Sequence, residues 1–335
     1  MTSYLVADIG GTNARCARAA VDPKQRSAAL SDTRTYRCAE LESIDAMLAR
    51  YGNDTEHALP SHVSLAVAGP VTGDRITLTN NDWNFSTEQL RRRFAFADLV
   101  VMNDLAAVAY ATRFLHNDDL LAVKSGSETQ TATRAVIGVG TGLGTAALHY
   151  AKGSWRAIAS EGGHATFAPV TRAETEAANA LVEATGAASW ENMLSGPGLV
   201  HVYRTVANMA GRHDSTLGSH DIVRLAIEND DRYCVRAVQV FCRALARFAS
   251  DAALWFGATG GVYLAGHLLR DLSPWLADEA FAVHFSDKGV MSDLIETIPV
   301  SLILADQPGL IGAAAGAQTL RNDVDQRAPS AIPTV

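Results

Sequence analysis

The sequence has little of what several classes of protein require. Its 335 residues include only four cysteines, and no two of them form a C-x-x-C pair, so neither a zinc site nor a disulfide framework is predicted. The 28 lysines and arginines are outnumbered by 36 acidic residues, and a formal net charge of −8 argues against a general nucleic-acid-binding protein. The scattered cysteines fit a reducing compartment.

Signals for export and for membrane insertion are also missing. The N-terminus lacks the basic stretch and the apolar run of a signal peptide. The most membrane-like window, residues 253–269, contains four glycines and a histidine. A helix end, a glycine turn and a buried strand explain it better than a membrane span. We therefore expect a cytoplasmic protein with no membrane partner.

The sequence does contain apolar runs of strand length that alternate with helical patterns. This alternation predicts α/β layers. Serine and threonine with Gln or Glu three residues on predict helix starts after Ser86 and Thr171, and Asp221 is the expected cap of a third helix. The predicted strands include residues 3–9, 14–21, 62–69, 74–80, 97–104, 134–150 (two strands joined by a glycine turn), 154–160, 260–268 and 299–305.

Two glycine turns, each of which follows an apolar strand, are the first candidate binding sites. "DIGGTN" (8–13) is not followed by Gly-Lys-Ser/Thr, and "GVGTGLGT" (138–145) has Leu143 where a dinucleotide fingerprint has its third glycine. Either turn alone is more often only a turn. Two such turns, each with threonine, favour phosphate binding through backbone N–H and hydroxyl groups.

Asp8 stands at the end of the first strand, directly before a turn suited to anions. A carboxylate there would repel phosphate unless a divalent cation lay between them. Mg²⁺ binds through one or two carboxylates together with phosphates and waters, so Asp8 is a candidate for holding it directly or through water. The alternative is an acid that caps or stabilises the turn.

Asn103 and Asp104 also follow an apolar strand, where open α/β sheets place their functional groups. Asp104 is a candidate general base for an attacking hydroxyl. The alternative is a helix cap, because residues 105–114 have a helical pattern.

A third group of polar residues suits the recognition of a polyol. Glu161 and His164 flank two glycines in "EGGHATFAP", and Glu191 precedes a Ser-Gly-Pro-Gly turn. Glu-x-x-His on a glycine-broken loop is a poor metal-ligand geometry. Further along, the glycines of "TGGVYLAGHL" (259–268) either approach a flat ring or simply allow close packing.

These segments, in this order, resemble the bacterial ATP-dependent glucokinases, members of the actin-like sugar kinase superfamily. The resemblance covers about residues 3–322. The segments are "DIGGTNAR", "TNNDWNFS", "MNDLAAVA", "GVGTGLGTA", "EGGHATFAP", "LSGPGLVHVYR", "GGVYLAGHL" and "DQPGLIGAA". "EGGHATFAP" and "LSGPGL" are the specific ones, since the glycine loops occur across the superfamily.

The resemblance implies a two-lobed actin-like ATPase (ribonuclease H-like) fold with the active site in the interlobe cleft. The small α/β domain would span residues 1–113 and be completed by a C-terminal helix at about 306–322. The large α/β domain would span 114–305, and 323–335 would form a flexible tail. The family is commonly dimeric, so a homodimer is expected.

The implied reaction is transfer of the γ-phosphoryl group of ATP to the 6-hydroxyl of D-glucose, the entry step of glycolysis, with Mg²⁺ and without zinc. Asp104 would be the base, and Asp8 would hold the metal. The residues expected to hold the sugar are Asn103, Asp104, Glu161, His164 and Glu191. Those expected to bind ATP are Asp8, Gly10, Gly11, Thr12, Asn13, Gly140, Thr141, Gly142, Gly260 and Gly261.

One position departs from the family, because His267 stands where the family commonly has glycine, and the resemblance therefore leaves the detail of the adenine contacts open. Three alternatives to a glucokinase stay open. They are a kinase of another hexose such as fructose or mannose, a non-catalytic sugar sensor, and a phosphohydrolase. The acids Asp8 and Asp104 argue against the sensor, and the cluster at 161–164 argues against the phosphohydrolase.

Overall fold

The structure is a computed structural model that describes residues 2–79, 81–213 and 216–327. Its strands, in chain order, are β1 (Ser3–Ile9), β2 (Asn13–Asp22), β3 (Ser27–Arg37), β4 (His62–Val67), β5 (Arg75–Thr77), β6 (Asn84–Ser86), β7 (Asp98–Asn103), β8 (Leu120–Lys124), β9 (Arg134–Val139), β10 (Leu143–Ala151), β11 (Ser154–Ser160), β12 (Val262–Ala265) and β13 (Val300–Ile303).

Most of the helices come after the second glycine turn. They are α1 (Ile44–Thr55), α2 (Thr87–Arg93), α3 (Asp104–Ala111), α4 (Arg172–Thr185), α5 (Trp190–Met193), α6 (Gly196–Met209), α7 (Ser219–Ile227), α8 (Arg232–Phe256), α9 (His267–Asp271), α10 (Ser273–Leu276), α11 (Glu279–Ser286), α12 (Ser292–Glu296) and α13 (Pro308–Arg327). No helix in the described part of the chain combines the length and apolar character needed to cross a bilayer.

The chain divides into two compact units. Unit 1 comprises Met1–His116, Leu148–Ala159 and Ala305–Val335, and unit 2 comprises Asn117–Ala147 and Ser160–Leu304. Residues 148–159 group with unit 1, although the family resemblance placed them in the large domain. The domain limits 1–113 and 114–305 stay predictions.

The main sheet of unit 1 has the strand order β3-β2-β1-β4-β7. β1 forms an antiparallel hairpin with β2 across the first glycine turn, as the sequence predicted. β1, β4 and β7 are parallel, so their carboxyl ends share one edge. On one face, α13 packs against α3 and the strands β1, β2 and β4.

The sheet that contains the second glycine turn has the order β11-β10-β9-β12-β13-β8. The predicted strand–turn–strand at 134–150 forms β9 and β10, which are neighbours in it. The core of unit 2 gathers around α8, whose buried face contacts α6, α7 and α11. The window 253–269 is the end of α8, a glycine turn and the buried strand β12, as expected.

Helix starts at Ser86 and Thr171 are confirmed. Ser86 Oγ accepts a hydrogen bond from Gln89 N at 3.1 Å. The side chains of Thr171 and Glu174 each accept a bond from the other's backbone N–H, which completes a capping box.

The predicted cap at Asp221 is wrong. α7 begins at Ser219 with Gly218 as its cap, so Asp221 lies in the first turn of the helix. There its carboxylate accepts a hydrogen bond from Gly218 N at 3.4 Å, one of the backbone N–H groups that have no partner within the helix. At the C-terminus, α13 runs to Arg327, beyond the predicted helix end at 322. The rest of the predicted tail, residues 328–335, lies outside the described residues.

Candidate active site

The carboxyl edge of the parallel strands in unit 1 carries three of the predicted residues. Asp8 is paired in register with Ala66 on β4, and Asn103 with Val67. One strand separates β1 from β7, so the backbones of Asp8 and Asn103 are roughly 10 Å apart. Asp104 follows Asn103 as the first residue of α3.

Asp8 is a partly buried acid with one cationic neighbour. Its side chain is 26% exposed, and Arg15 Nη1 lies 3.9 Å from its Oδ2. Removal from water raises the pKa of Asp8, and the Arg15 charge offsets part of that shift. The N-terminus of α13 approaches from the other side, where a Cβ on Gly309 would lie 2.7 Å from Oδ2.

The first glycine loop, Gly10, Gly11 and Thr12, connects β1 to β2. Gly10 N donates to Asn13 O at 3.0 Å and closes the turn. The side chain of Thr12 is exposed, while its carbonyl accepts a bond from Cys38 N. The loop is therefore held by its backbone and presents its hydroxyl to solvent.

Asn103, and not Asp104, caps α3. Asn103 Oδ1 accepts from Leu105 N at 3.0 Å and Ala106 N at 3.1 Å. Its amide nitrogen donates to Gly69 O at 3.3 Å. The alternative interpretation of Asp104 as the cap is thereby excluded. Asp104 lies in the first turn, partly exposed, with Oδ1 accepting from Leu105 N.

The second glycine loop, Gly140, Thr141 and Gly142, connects β9 to β10 in unit 2. Gly140 N donates to Gly142 O at 2.9 Å, and Gly140 and Thr141 are exposed. Thr145, the threonine that ends the segment "GVGTGLGT", is buried and directs its hydroxyl towards Ser160 O at 3.4 Å. Thr141 is thus the threonine of this turn that faces solvent.

Gly260 and Gly261 do not lie beside that loop. β12 is parallel to β9, with Val262 beside Ala135 and Ala265 beside Gly138. The two glycines precede β12 and so lie at the amino edge of the sheet, roughly 15 Å from the carboxyl edge. This geometry corrects the prediction that they contact ATP.

Packing explains Gly260, whereas Gly266 is the glycine of this segment that lies beside the second glycine loop. A Cβ on Gly260 would lie 2.6 Å from Ala132 O. Gly266 follows β12 at the carboxyl edge, and a Cβ there would be 1.9 Å from Val139 O, one residue before the glycine loop. The exposed His267 is the next residue. The signal was present in the sequence, because Gly266 ends a strand whereas Gly260 and Gly261 begin one.

The predicted sugar residues of unit 2 lie on a short helical turn and on α5. Glu161 precedes the single 3₁₀ turn Gly162–His164, and both Glu161 and His164 are exposed. His164 Nδ1 lies 3.8 Å from Glu191 Oε1. The other carboxylate oxygen of Glu191 accepts a bond from Leu143 N at 2.9 Å.

Aromatic packing holds these side chains in place. Trp190, next to Glu191, contacts Phe167 edge-on at 4.8 Å between ring centroids and Phe248 of α8 at 5.1 Å. Trp190 N also donates to Ala165 O at 3.0 Å. The segment after His164 and the start of α5 are therefore one packed structure.

The segment that follows His164 ends at Val170 and Thr171, and these residues are held by a buried ion pair that the sequence did not indicate. Glu174 is fully buried, and its Oε2 lies 2.9 Å from Arg247 Nη2 of α8. The same oxygen accepts from Val170 N at 2.8 Å and from Thr171 N at 3.1 Å. A buried, paired carboxylate is the expected arrangement for a charge removed from water.

Asp8 suits a magnesium ion in its chemistry. It is a hard oxygen donor beside an exposed glycine loop, and Mg²⁺ needs only one or two protein carboxylates when phosphate and water complete its shell. In the described residues, no three His, Cys, Asp or Glu side chains form a metal-binding group.

Comparison with known proteins matches nearly the whole chain. The family model described as Glucokinase matches residues 5–320. A glucokinase from Saccharophagus degradans is 37% identical over 315 residues, covering 94% of this chain and 98% of that protein.

Solved structures agree with this match. The crystal structure of a glucokinase from an Antarctic psychrotroph is 34% identical with a TM-score of 0.86, covering 95% of this chain and 99% of that one. A glucokinase from Balamuthia mandrillaris, solved in complex with glucose, is 22% identical with a TM-score of 0.78, covering 95% and 94%, and supports the fold alone. The fold is the two-lobed actin-like ATPase fold.

The match of the family model and the identity to a curated relative both extend over more than nine-tenths of the chain. The eight sequence segments that suggested the resemblance all lie within or at the edge of the matched residues. The chain therefore belongs to the glucokinase family.

Proposed function

We propose that this protein transfers the γ-phosphoryl group of ATP to the 6-hydroxyl of D-glucose, forming glucose 6-phosphate and ADP. One observation supports this most strongly. In unit 2, two candidate sugar-binding side chains, His164 and Glu191, lie within 3.8 Å of each other, and Glu191 also touches the glycine loop at Leu143. A phosphotransferase needs its acceptor beside its phosphate site, whereas a binding module does not.

Asp104 is the proposed base. Because Asn103 fulfils the capping role, the carboxylate of Asp104 is not needed to start α3. It would take the proton of the 6-hydroxyl as the oxygen attacks phosphorus, a contribution of roughly 10²–10⁴-fold. Glu161, His164 and Glu191 would hold other hydroxyls, and positioning of this kind supplies much of the rate in phosphoryl transfer.

Asp8 is the proposed holder of Mg²⁺, directly or through water. When bound, the ion neutralises phosphate charge. Gly10, Gly11, Thr12 and Asn13, with Gly140, Thr141 and Gly142, would bind the phosphates through backbone N–H and hydroxyl groups. Asn103 is retained as a proposed sugar ligand through its amide nitrogen.

We further propose a cytoplasmic homodimer that serves the entry step of glycolysis. The support is the resemblance to bacterial glucokinases together with family membership. Size-exclusion chromatography with light scattering tests the dimer: a mass of twice 35.6 kDa is expected.

The deciding experiment measures ADP release by the purified full-length chain with ATP, Mg²⁺ and a panel of hexoses. Glucose is expected to give the highest kcat/KM, with glucose 6-phosphate as the product. 6-Deoxyglucose is the matched control, because it keeps every other hydroxyl and should compete with glucose without releasing ADP.

Each alternative has its own result in this assay. A preference for fructose or mannose identifies another hexose kinase. Glucose binding without ADP release identifies a sensor, and ADP release without any sugar identifies a phosphohydrolase.

A further inference from the structure

Leu143, the residue directly after the second glycine loop, is contacted through both of its backbone polar groups. A Cβ on Gly163 would lie 1.9 Å from Leu143 O, so the turn that carries His164 rests on this carbonyl. On the other side, Leu143 N donates to Glu191 Oε2 at 2.9 Å. The residue that ends the phosphate loop is thus held between the two segments proposed to bind sugar.

Gly142 lies equally close to Glu191. An ideal Cβ on Gly142 would be 2.6 Å from Glu191 Oε2 and 3.4 Å from its Cδ. The φ of Gly142 is not in the left-handed region, so this carboxylate, and not backbone strain, is what an added Cβ would meet. The glycine therefore provides the space that Glu191 needs to reach the loop.

The chain around Glu191 makes a second contact with the loop. Gly196 N, at the start of α6, donates to Gly140 O at 2.8 Å. The segment from Trp190 to Gly196 is also tied to the sugar turn through the bond from Trp190 N to Ala165 O. A shift of this segment therefore changes both the sugar contacts and the loop.

We propose that Glu191 is a positioning residue that couples sugar binding to the conformation of the Gly140–Gly142 loop. One carboxylate oxygen faces His164 and would bind the sugar, and the other accepts the bond from Leu143 N. Sugar that orders Glu191 would thereby order the nucleotide loop, and bound nucleotide would favour sugar binding by the same factor. This inference rests on the proposed function.

The first test uses two alanine substitutions in one loop. Gly142→Ala introduces a Cβ that must displace Glu191, whereas a Cβ on Gly140 meets nothing within 4 Å. Calorimetric titration with glucose alone, without nucleotide, should show binding weakened about tenfold in Gly142→Ala. Gly140→Ala should stay within about twofold of the parent. Equal glucose affinity in the two variants would overturn the proposal.

The second test reads the coupling from the nucleotide side. Glu191→Gln keeps an oxygen that can accept from Leu143 N, and Glu191→Ala removes it. Titration with ADP and Mg²⁺ in the absence of sugar should show weaker binding by about fivefold or more in Glu191→Ala and near-parental binding in Glu191→Gln. ADP affinity that is the same in both variants contradicts the proposal.

Thermal melts of all four variants establish that each is folded before affinities are compared.

Failure of this inference is distinguishable from failure of the proposed function. If the parent phosphorylates glucose while Gly142→Ala and Gly140→Ala bind it equally, only the coupling role is lost. If the parent neither binds nor phosphorylates glucose, the function itself is wrong.

Discussion

Gly309 lies directly against the carboxylate of Asp8: an ideal Cβ on Gly309 would be 2.7 Å from Asp8 Oδ2 and 2.9 Å from its Cγ. A residue near the C-terminus thus sets the space available to an acid on the first strand. The N-terminus of α13, which carries a partial positive charge, thus approaches that acid closely.

Asp8→Asn is expected to weaken the binding of Mg²⁺, and Gly309→Ala is expected to weaken it in part. The added methyl group must turn the Asp8 side chain away from its position, and neighbours of a metal ligand typically affect metal affinity by about 10–100-fold. The Mg²⁺ concentration for half-maximal activity should rise in both variants, while glucose affinity measured by calorimetry stays close to the parent. Equal loss of glucose binding would indicate a structural role for Asp8 instead.

Gly312→Ala, one turn along the same helix, is expected to lower stability rather than metal affinity. A Cβ there would lie 1.7 Å from Ala107 O, so α13 must move away from α3. Overpacking of this kind destabilises by about 1–3 kcal/mol or more. Urea unfolding measures the loss. A variant as stable as the parent would show that α13 does not pack as described.

Asp104→Ala should affect turnover more than binding. A base interacts with the reacting proton mainly in the transition state, so its loss falls on kcat. We expect glucose affinity within about tenfold of the parent and turnover lower by at least ~10²-fold at saturating sugar. Glu161→Ala and His164→Ala should instead weaken glucose binding by roughly 10- to 150-fold. Retention of more than about a tenth of parental turnover in Asp104→Ala would rule it out as the base.

Asn103→Ala should cost about 1 kcal/mol of stability through loss of the α3 cap. Asn103→Ser is the matched control, because serine is an equally good cap, is neutral, and also lacks the amide that donates to Gly69 O. The difference between their unfolding free energies isolates the cap. Equal stability of the two variants would show that Asn103 Oδ1 does not hold the start of the helix.

Alkaline pH should destabilise the protein partly through Cys242. Burial within α8 raises the pKa of this thiol to about 12, whereas an unfolded cysteine ionises near pH 8.5. The folded state therefore favours the neutral thiol, and this contribution is present below about pH 8.5 and decreases as pH rises towards 12. Urea unfolding from pH 8 to 11 should show a shallower decline in Cys242→Ala, by up to about 1.4 kcal/mol per pH unit. Parallel declines would contradict the shift.

The features that the sequence predicted correctly are those that depend on residues close together in the chain. The strand–glycine–strand units at Asp8 and at Gly140 are short-range patterns, and both formed as expected. The capping box at Thr171 is equally local. β3 was not predicted, because its exposed and buried residues do not alternate cleanly. What makes it a strand is its pairing with β2, which is visible only in the structure.

The features that the sequence did not predict depend on contacts that are distant in sequence. Asn103 and Asp104 are both good caps, and only the fold shows which side chain reaches Ala106 N. The bond between Glu191 and Leu143 spans 48 residues. Gly260 and Gly266 flank the same strand, and only the parallel pairing of β12 with β9 shows that Gly266 is the one beside the second glycine loop.

The place of α13 at the end of the chain has a consequence during synthesis. Its residues Leu310, Ala313 and Ala314 are buried against elements made from the first third of the chain. The face of α3 that packs against α13 therefore stays uncovered on the ribosome until α13 has emerged. Unit 2 meanwhile has all of its segments available before Ala305 is added. The N-terminal part of the newborn chain therefore completes its packing only after α13 has been synthesised.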